Sequence, residues 1–134
     1  RRYEPRLVNH QVVLALPERP VVGWWDGPRL EEVLANLLDN AIRHGPPGTQ
    51  ITIAAGDLGD RARLEVCDEG PGIPEDVRPH LFTRYTRSRR DSTGGSGLGL
   101  GLFICHGIVS AHGGQIDVES RPGEGCRFWV ELPK

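Results

Sequence analysis

Three groups of residues in this sequence have the chemistry of a binding site. The first is a pair of amides, Asn36 and Asn40, set four apart in a stretch rich in leucine. At that spacing both stand on one side of a helix, on a stripe that flanks the leucine face without joining it. Asparagine is a poor interior helix residue, so two of them in such a helix point to a role that outweighs propensity. One such role is ligation of a hard cation such as Mg2+, which takes carbonyl oxygens and keeps several waters; the plainer alternative is a pair of solvated amides on the polar face. Arg43, three residues beyond Asn40, adds a fixed positive charge suited to phosphate oxygens.

The second group is Asp68-x-Gly70-x-Gly72, just after an expected strand. A carboxylate there can accept from an exocyclic amine such as that of adenine, and glycines let a flat ligand approach the backbone. An ordinary Asp/Gly turn is the competing reading. The third group is the run from Gly94 to Gly101, in which Leu98 and Leu100 interleave with the glycines at the start of a helix. Free amides and the positive helix end make that junction an anion site. It is neither a G-x-x-x-x-G-K-[ST] loop, since the only lysine is Lys134, nor a G-x-G-x-x-G fingerprint led by a strand. A flexible linker is the alternative, although a linker has no use for regularly interleaved leucines.

The elements that must carry these groups follow from periodicity. Leu30, Val33, Leu34, Leu37, Leu38, Ala41 and Ile42 recur at helical spacing after Asp26-Gly27-Pro28 and before Gly45-Pro46-Pro47. Short strands are expected at 11–16 and 21–25, and an antiparallel hairpin from 51–53 and 61–67 around a turn at 56–60. A short helix is expected over 75–82, a mobile loop of about 14 residues over 83–97, and a helix over 98–112 ended by Gly113-Gly114. Strands at 115–121 and 126–132 flank a Pro122-Gly123-Glu124-Gly125 turn. The order β-β-α-β-β-α-loop-α-β-β argues for an α+β fold, a two-layer sandwich with helices on one face of the sheet.

Composition narrows the class. The 134 residues suit one domain, and 18 glycines are nearly twice the usual share, five of them between 94 and 101. A net charge of −2 provides no whole-chain basic field for nucleic acid. Three cysteines, Cys67, Cys105 and Cys126, are odd in number and form no C-x-x-C pair, so neither a disulfide framework nor a zinc site is expected, and a reducing cytoplasmic setting fits. No apolar run approaches the roughly 20 residues of a membrane span. A chain that starts at Arg1 and contains no methionine reads as a piece of a longer polypeptide.

Taken together, four stretches resemble the sensor histidine kinases, in that family's order. The helix from Glu32 through Asn36 and Asn40 to His44 resembles the N box, and Asp68-Glu-Gly-Pro-Gly-Ile-Pro74 the G1 box. Leu81-Phe-Thr-Arg-Tyr-Thr-Arg87 resembles the F box, and Gly95-Ser-Gly-Leu-Gly-Leu100 the G2 box. The similarity spans about residues 20–133. It implies the Bergerat ATP-binding fold, a mixed and mostly antiparallel sheet under helices with an ATP lid, shared with gyrase, Hsp90 and MutL ATPases. It implies that 1–134 is the single ATP-binding catalytic domain of a longer histidine kinase in a two-component system, with ATP and Mg2+ as its cofactors.

On that resemblance Asn40 would ligate Mg2+, with Asn36 beside it in the phosphate region, Arg43 on a phosphate, and His44 beside the adenine or ribose. Asp68 would take the adenine amine, with Gly70, Gly72 and Ile73 shaping the base pocket. Phe82 would anchor the start of the lid and Arg87 would reach the γ-phosphate. Gly95, Ser96, Gly97, Leu98, Gly99 and Leu100 would wrap the triphosphate, aided by the local charge of Arg84, Arg89 and Arg90. Asn36, Asn40 and Arg87 are thus the expected catalytic set. Gyrase-like relatives carry a glutamate base where this chain has Asn36, and an amide cannot take a proton from water at neutral pH, so phosphoryl transfer is expected over hydrolysis. Arg43, His44, Gly101 and Cys126 depart from the residues common in the family without removing a function. The implied partners are a dimerisation and phosphoacceptor domain of the same kinase and a downstream response regulator, with no nucleic acid and no direct membrane contact. His10, His80, His106 and His112 do not fit the acceptor motif. A serine kinase of the anti-sigma-factor type and a non-catalytic ATP-sensing module are the competing functions.

Overall fold

The leucine period closes as a helix, α1, running Gly27–His44. Its start is fixed by Asp26, whose side chain accepts the Arg29 N–H at 3.2 Å, and Pro28 occupies the first turn, where a missing N–H costs nothing. At the other end Gly45 donates its N–H to Ala41 O at 2.8 Å, and Pro46 prevents continuation. Val33, Leu37, Leu38 and Ala41 are buried along one face.

The structure is a computed structural model that describes residues 10–83, 100–120 and 123–134. Its strands are β1 (Gln11–Ala15), β2 (Gln50–Asp57), β3 (Arg61–Asp68), β4 (Gln115–Ser120) and β5 (Cys126–Pro133), with a second helix, α2 (Leu100–Ala111), and a short 3-10 turn at Arg78–His80. They form a five-stranded sheet in the order β1-β2-β3-β5-β4. β1 runs parallel to β2 and the other pairings are antiparallel. The mixed sheet and the α+β architecture agree with the fold expected from the sequence.

Register decides which face is dry. Ile53 lies opposite Val66, Val66 opposite Phe128, and Phe128 opposite Val118, so one buried row crosses four strands. This row packs with α1 and with Cys105 and Val109 of α2 in a single core. The alternate residues make a charged outer face: Arg63 pairs with Glu65 at 2.7 Å and Glu131 at 2.6 Å, and its guanidinium lies 4.6 Å from the centre of the Trp129 ring. Both helices therefore cover one face, and the sandwich has two layers.

The structure corrects two expected elements. Residues 21–25 form no strand: the Trp25 indole N–H donates to Pro133 O at 2.7 Å, and the ring lies so close to Gly23 that a β-carbon there would sit 2.3 Å from it. With Val22 and Trp24 at 75% and 95% exposure, this segment pairs with none of the described strands and lies as a strap instead. β1 pairs across α1 with β2, the parallel connection that a helical crossover permits. The helix expected over 75–82 shrinks to Arg78–His80. Pro74 O accepts the N–H of Val77 at 3.0 Å and of Arg78 at 3.1 Å, but Pro79 has no N–H to extend the ladder, and the Arg78 side chain donates to Val118 O at 3.0 Å, tying the segment to β4.

Leu37 is completely buried between the two layers. Leu37→Ala is expected to lower unfolding free energy by about 2–5 kcal/mol in urea denaturation, with α1 still formed by circular dichroism.

Candidate functional site

The end of β3 brings a charge into the dry layer. Asp68 is the only buried charged residue among those described, at 6% exposure. Its Oδ1 accepts the Gly70 N–H at 2.8 Å, the two-residue reach of an Asx turn. The chain must reverse here in little space, and glycines provide it. A β-carbon on Gly70 would lie 2.7 Å from His44 O, and one on Gly125, at φ +81°, would lie 2.1 Å from Asp68 O. The C-terminal end of α1, the Asp68 turn and the start of β5 therefore meet at one point. Burial pushes the Asp68 carboxyl above the usual carboxylate range, against the opposing pull of the Gly70 and Cys126 amides and His44.

The segment after the turn is held from below. Ile73 donates its N–H to Ser120 Oγ at 2.7 Å, and Gly123 donates to Pro71 O at 3.0 Å. Gly72 takes φ +88°, a conformation that favours glycine. Glu69 faces outward, and its Oε1 accepts the Gln50 N–H at 2.8 Å, fastening the turn to the start of β2. Phe82 packs edge-on to Phe128, with ring centres 6.4 Å apart, and lies 6.0 Å from the His106 ring.

On α1, Asn36 and Asn40 are half-buried on the stripe beside the leucine face. Asn36 looks onto α2: a β-carbon on Gly101 would come 3.6 Å from Asn36 Oδ1, ordinary contact. Deeper in the same seam the Cys105 thiol donates to Val33 O at 3.7 Å. Burial pushes that thiol up to about 12, so it stays protonated, although its bond with Asn36 pulls the other way. Arg43 is exposed and Leu100 half-buried. No group of three or more His, Cys, Asp or Glu side chains among the described residues could hold a metal by itself. The amide oxygen of Asn40 suits instead a hard cation that takes most of its other ligands from phosphate and water.

The structure thus gathers Asp68, Gly70, Gly72, Ile73 and His44 about one turn and sets Asn36 against the first turn of α2. Arg87, Gly95, Ser96, Gly97, Leu98 and Gly99, with Arg84, Arg89 and Arg90, lie outside the described residues. Sequence reasoning missed Ser120, Glu69 and Gly125 as supports of the Asp68 turn. Gly125 alone left a trace, as the last glycine of a turn directly before a strand.

Three comparisons bear on this geometry. The family model for histidine kinase-, DNA gyrase B- and HSP90-like ATPases matches residues 25–134. The sensor protein KdpD of Escherichia coli is 40% identical over 131 residues, covering 98% of this chain and 14% of that protein. The sensor histidine kinase TrcS of Mycobacterium tuberculosis is 40% identical over 130 residues, covering 93% of this chain and 25% of its own length. Among solved structures, the catalytic domain of histidine kinase ThkA superposes with a TM-score of 0.86 at 31% identity, covering 98% of this chain and 85% of that one. Full-length ShkA in complex with AMPPNP gives 0.83 at 30% identity, covering 98% and 27%. The chain spans a quarter or less of the length of KdpD and of TrcS.

The raised Asp68 carboxyl has a sign that can be checked. A folded-state value above the unfolded one means that the ionised group costs stability, and the cost is relieved as pH falls through the folded value. Asp68→Asn is therefore expected to raise the urea midpoint of the ligand-free chain near pH 7. The gain should shrink to nothing by roughly pH 4, near the ordinary carboxylate value.

Proposed function

The chain belongs to the histidine kinase-, DNA gyrase B- and HSP90-like ATPase family, and from that premise we propose that it is the catalytic ATP-binding domain of a longer sensor histidine kinase. In this reading it binds Mg-ATP and passes the γ-phosphoryl group to a histidine on a separate dimerisation and phosphoacceptor domain, from which a response regulator is then charged. The similarity to KdpD, TrcS and the ThkA catalytic domain supports kinase over the other branches of the family. The observation that carries the choice is Asn36, an amide packed against Gly101 at the position where the gyrase-like branch places a carboxylate base. Without a base to activate water, the site favours transfer to a nucleophile brought by a partner.

Each residue then has a task. Asp68, ionised, accepts the adenine amine, while Gly70, Gly72 and Ile73 form the slot for the base beside His44. Asn40, with Asn36 next to it, would hold Mg2+ through its amide oxygen; when bound, the metal neutralises charge between the phosphates. Arg43 meets phosphate oxygens, Phe82 ties the lid's start to Phe128, and Arg87 meets the γ-phosphate. Gly95, Ser96, Gly97, Leu98, Gly99 and Leu100 close over the triphosphate. In the transfer the γ-phosphorus bond to the bridging oxygen breaks, leaving ADP, as a bond forms to the acceptor imidazole nitrogen. Positioning and charge neutralisation supply most of the acceleration. No helix among the described residues is long and apolar enough to cross a membrane, and the domain is proposed to work in the cytoplasm, whether or not its parent is anchored.

Asn40→Asp and Asp68→Ala are each expected to weaken Mg-ATP binding in calorimetry by about a hundredfold or more, through an altered metal ligand and an unanswered adenine amine. Unchanged affinity would show the site to be misassigned. With γ-labelled ATP the chain alone should retain no label. Adding the isolated dimerisation domain should give acid-labile label on that partner, whereas acid-stable label on serine would refute histidine transfer.

A further inference from the structure

The two helices that flank the proposed phosphate region run antiparallel and touch at successive points: Asn36 against Gly101, Val33 O against the Cys105 thiol at 3.7 Å, and Asp26 against His112. The first two contacts involve small or weakly bonded groups. Neither is a strong directional bond between the helix ends: Gly101 offers no side chain, and a thiol is a weak donor. The third contact differs. The Asp26 backbone N–H, which precedes α1 and has no partner in its ladder, donates to His112 Nε2 at 3.1 Å. The other ring nitrogen, Nδ1, lies 2.9 Å from Ile108 O. A carbonyl only accepts and an amide N–H only donates, so both bonds exist together in one ring form: neutral, with the proton on Nδ1.

The backbone beneath His112 is equally constrained. Gly114 donates to Val109 O and Gly113, at φ +72°, donates to Ser110 O, each at 2.9 Å, the pattern that closes a helix through a left-handed residue. Gly114 is pressed against β5, where a β-carbon would lie 2.3 Å from Glu131 O. On the opposite side the residue before Asp26 is tied to the same strand by the Trp25 N–H bond to Pro133 O at 2.7 Å. Both halves of the His112–Asp26 bond are thus anchored to the end of β5, and the ring spans the gap between them.

We propose that His112 is a positioning residue that locks the axial register of α2 against α1, and so sets the place of Asn36 relative to the glycine-rich start of α2. A slip of one residue along a helix moves a side chain by about 1.5 Å, which is enough to spoil phosphate alignment. The proposal rests on the nucleotide site assigned above.

Two substitutions separate the two bonds. Gln places its amide oxygen near the position of Nε2, so His112→Gln keeps the acceptor for Asp26. Asn places its amide near Nδ1, so His112→Asn keeps the bond to Ile108 O and loses the bridge. Measured by calorimetry at a temperature where all three proteins are folded, Mg-ATP affinity should fall about fivefold in His112→Asn and stay within about twofold in His112→Gln. Equal affinities in the two variants would overturn the lock, because a merely structural role lowers melting temperature without moving affinity in the folded state. Nitrogen-15 NMR of the unaltered chain provides a test that needs no variant to fold. A neutral His112 ring protonated on Nδ1, with a slowly exchanging Asp26 amide, supports the lock, and a ring protonated on Nε2 overturns it. If the unaltered chain binds no nucleotide, the proposed function fails, while the ring form and the Asp26 amide still decide the lock.

Discussion

A carboxylate held at 6% exposure is the constraint around which the rest of this molecule is arranged. Such a group destabilises the layer it enters unless donors and a ligand answer it. Gly70 provides one amide, Cys126 another, and the last turn of α1 brings His44 close. To make room, Gly70 and Gly125 give up side chains where any β-carbon would strike His44 O or Asp68 O. In the function proposed above, a flat base carrying an amine is the ligand that this carboxylate meets.

The two faces of the sheet divide the remaining work. The row Ile53, Val66, Phe128 and Val118 excludes water beneath the helices and makes the Asp68 environment dry. The outer face, where Arg63 bridges Glu65 and Glu131, spends its charges on one another at partly exposed positions, where such pairs add little to stability. The chemistry proposed for this chain belongs to the other face.

Much of this was legible in the sequence. The leucine period gave α1 almost to the residue because Asp26, Pro28 and Gly45 are strong local signals, and the four strands β2 to β5 followed from alternation and turns. What failed was what local pattern cannot encode. Residues 21–25 have strand-like composition, yet the indole of Trp25 is claimed by Pro133, 108 positions away. The expected 75–82 helix lost to Pro79 and to an arginine bonded across to β4. At the candidate site, Asp68 and the two asparagines could be proposed from type and spacing. Ser120, Glu69 and His112 could not, since each acts through a backbone group distant in sequence.

The strand order has a temporal side. β5, the last of the described strands, lies between β3 and β4 and runs beside Asp68 through Cys126. β3 therefore lacks one neighbour, and Asp68 its Cys126 side, until β5 pairs. During folding the Asp68 turn sits at an open edge of β3 until β5 slots in between β3 and β4, so closure of this corner waits on the pairing most distant in sequence among the described strands.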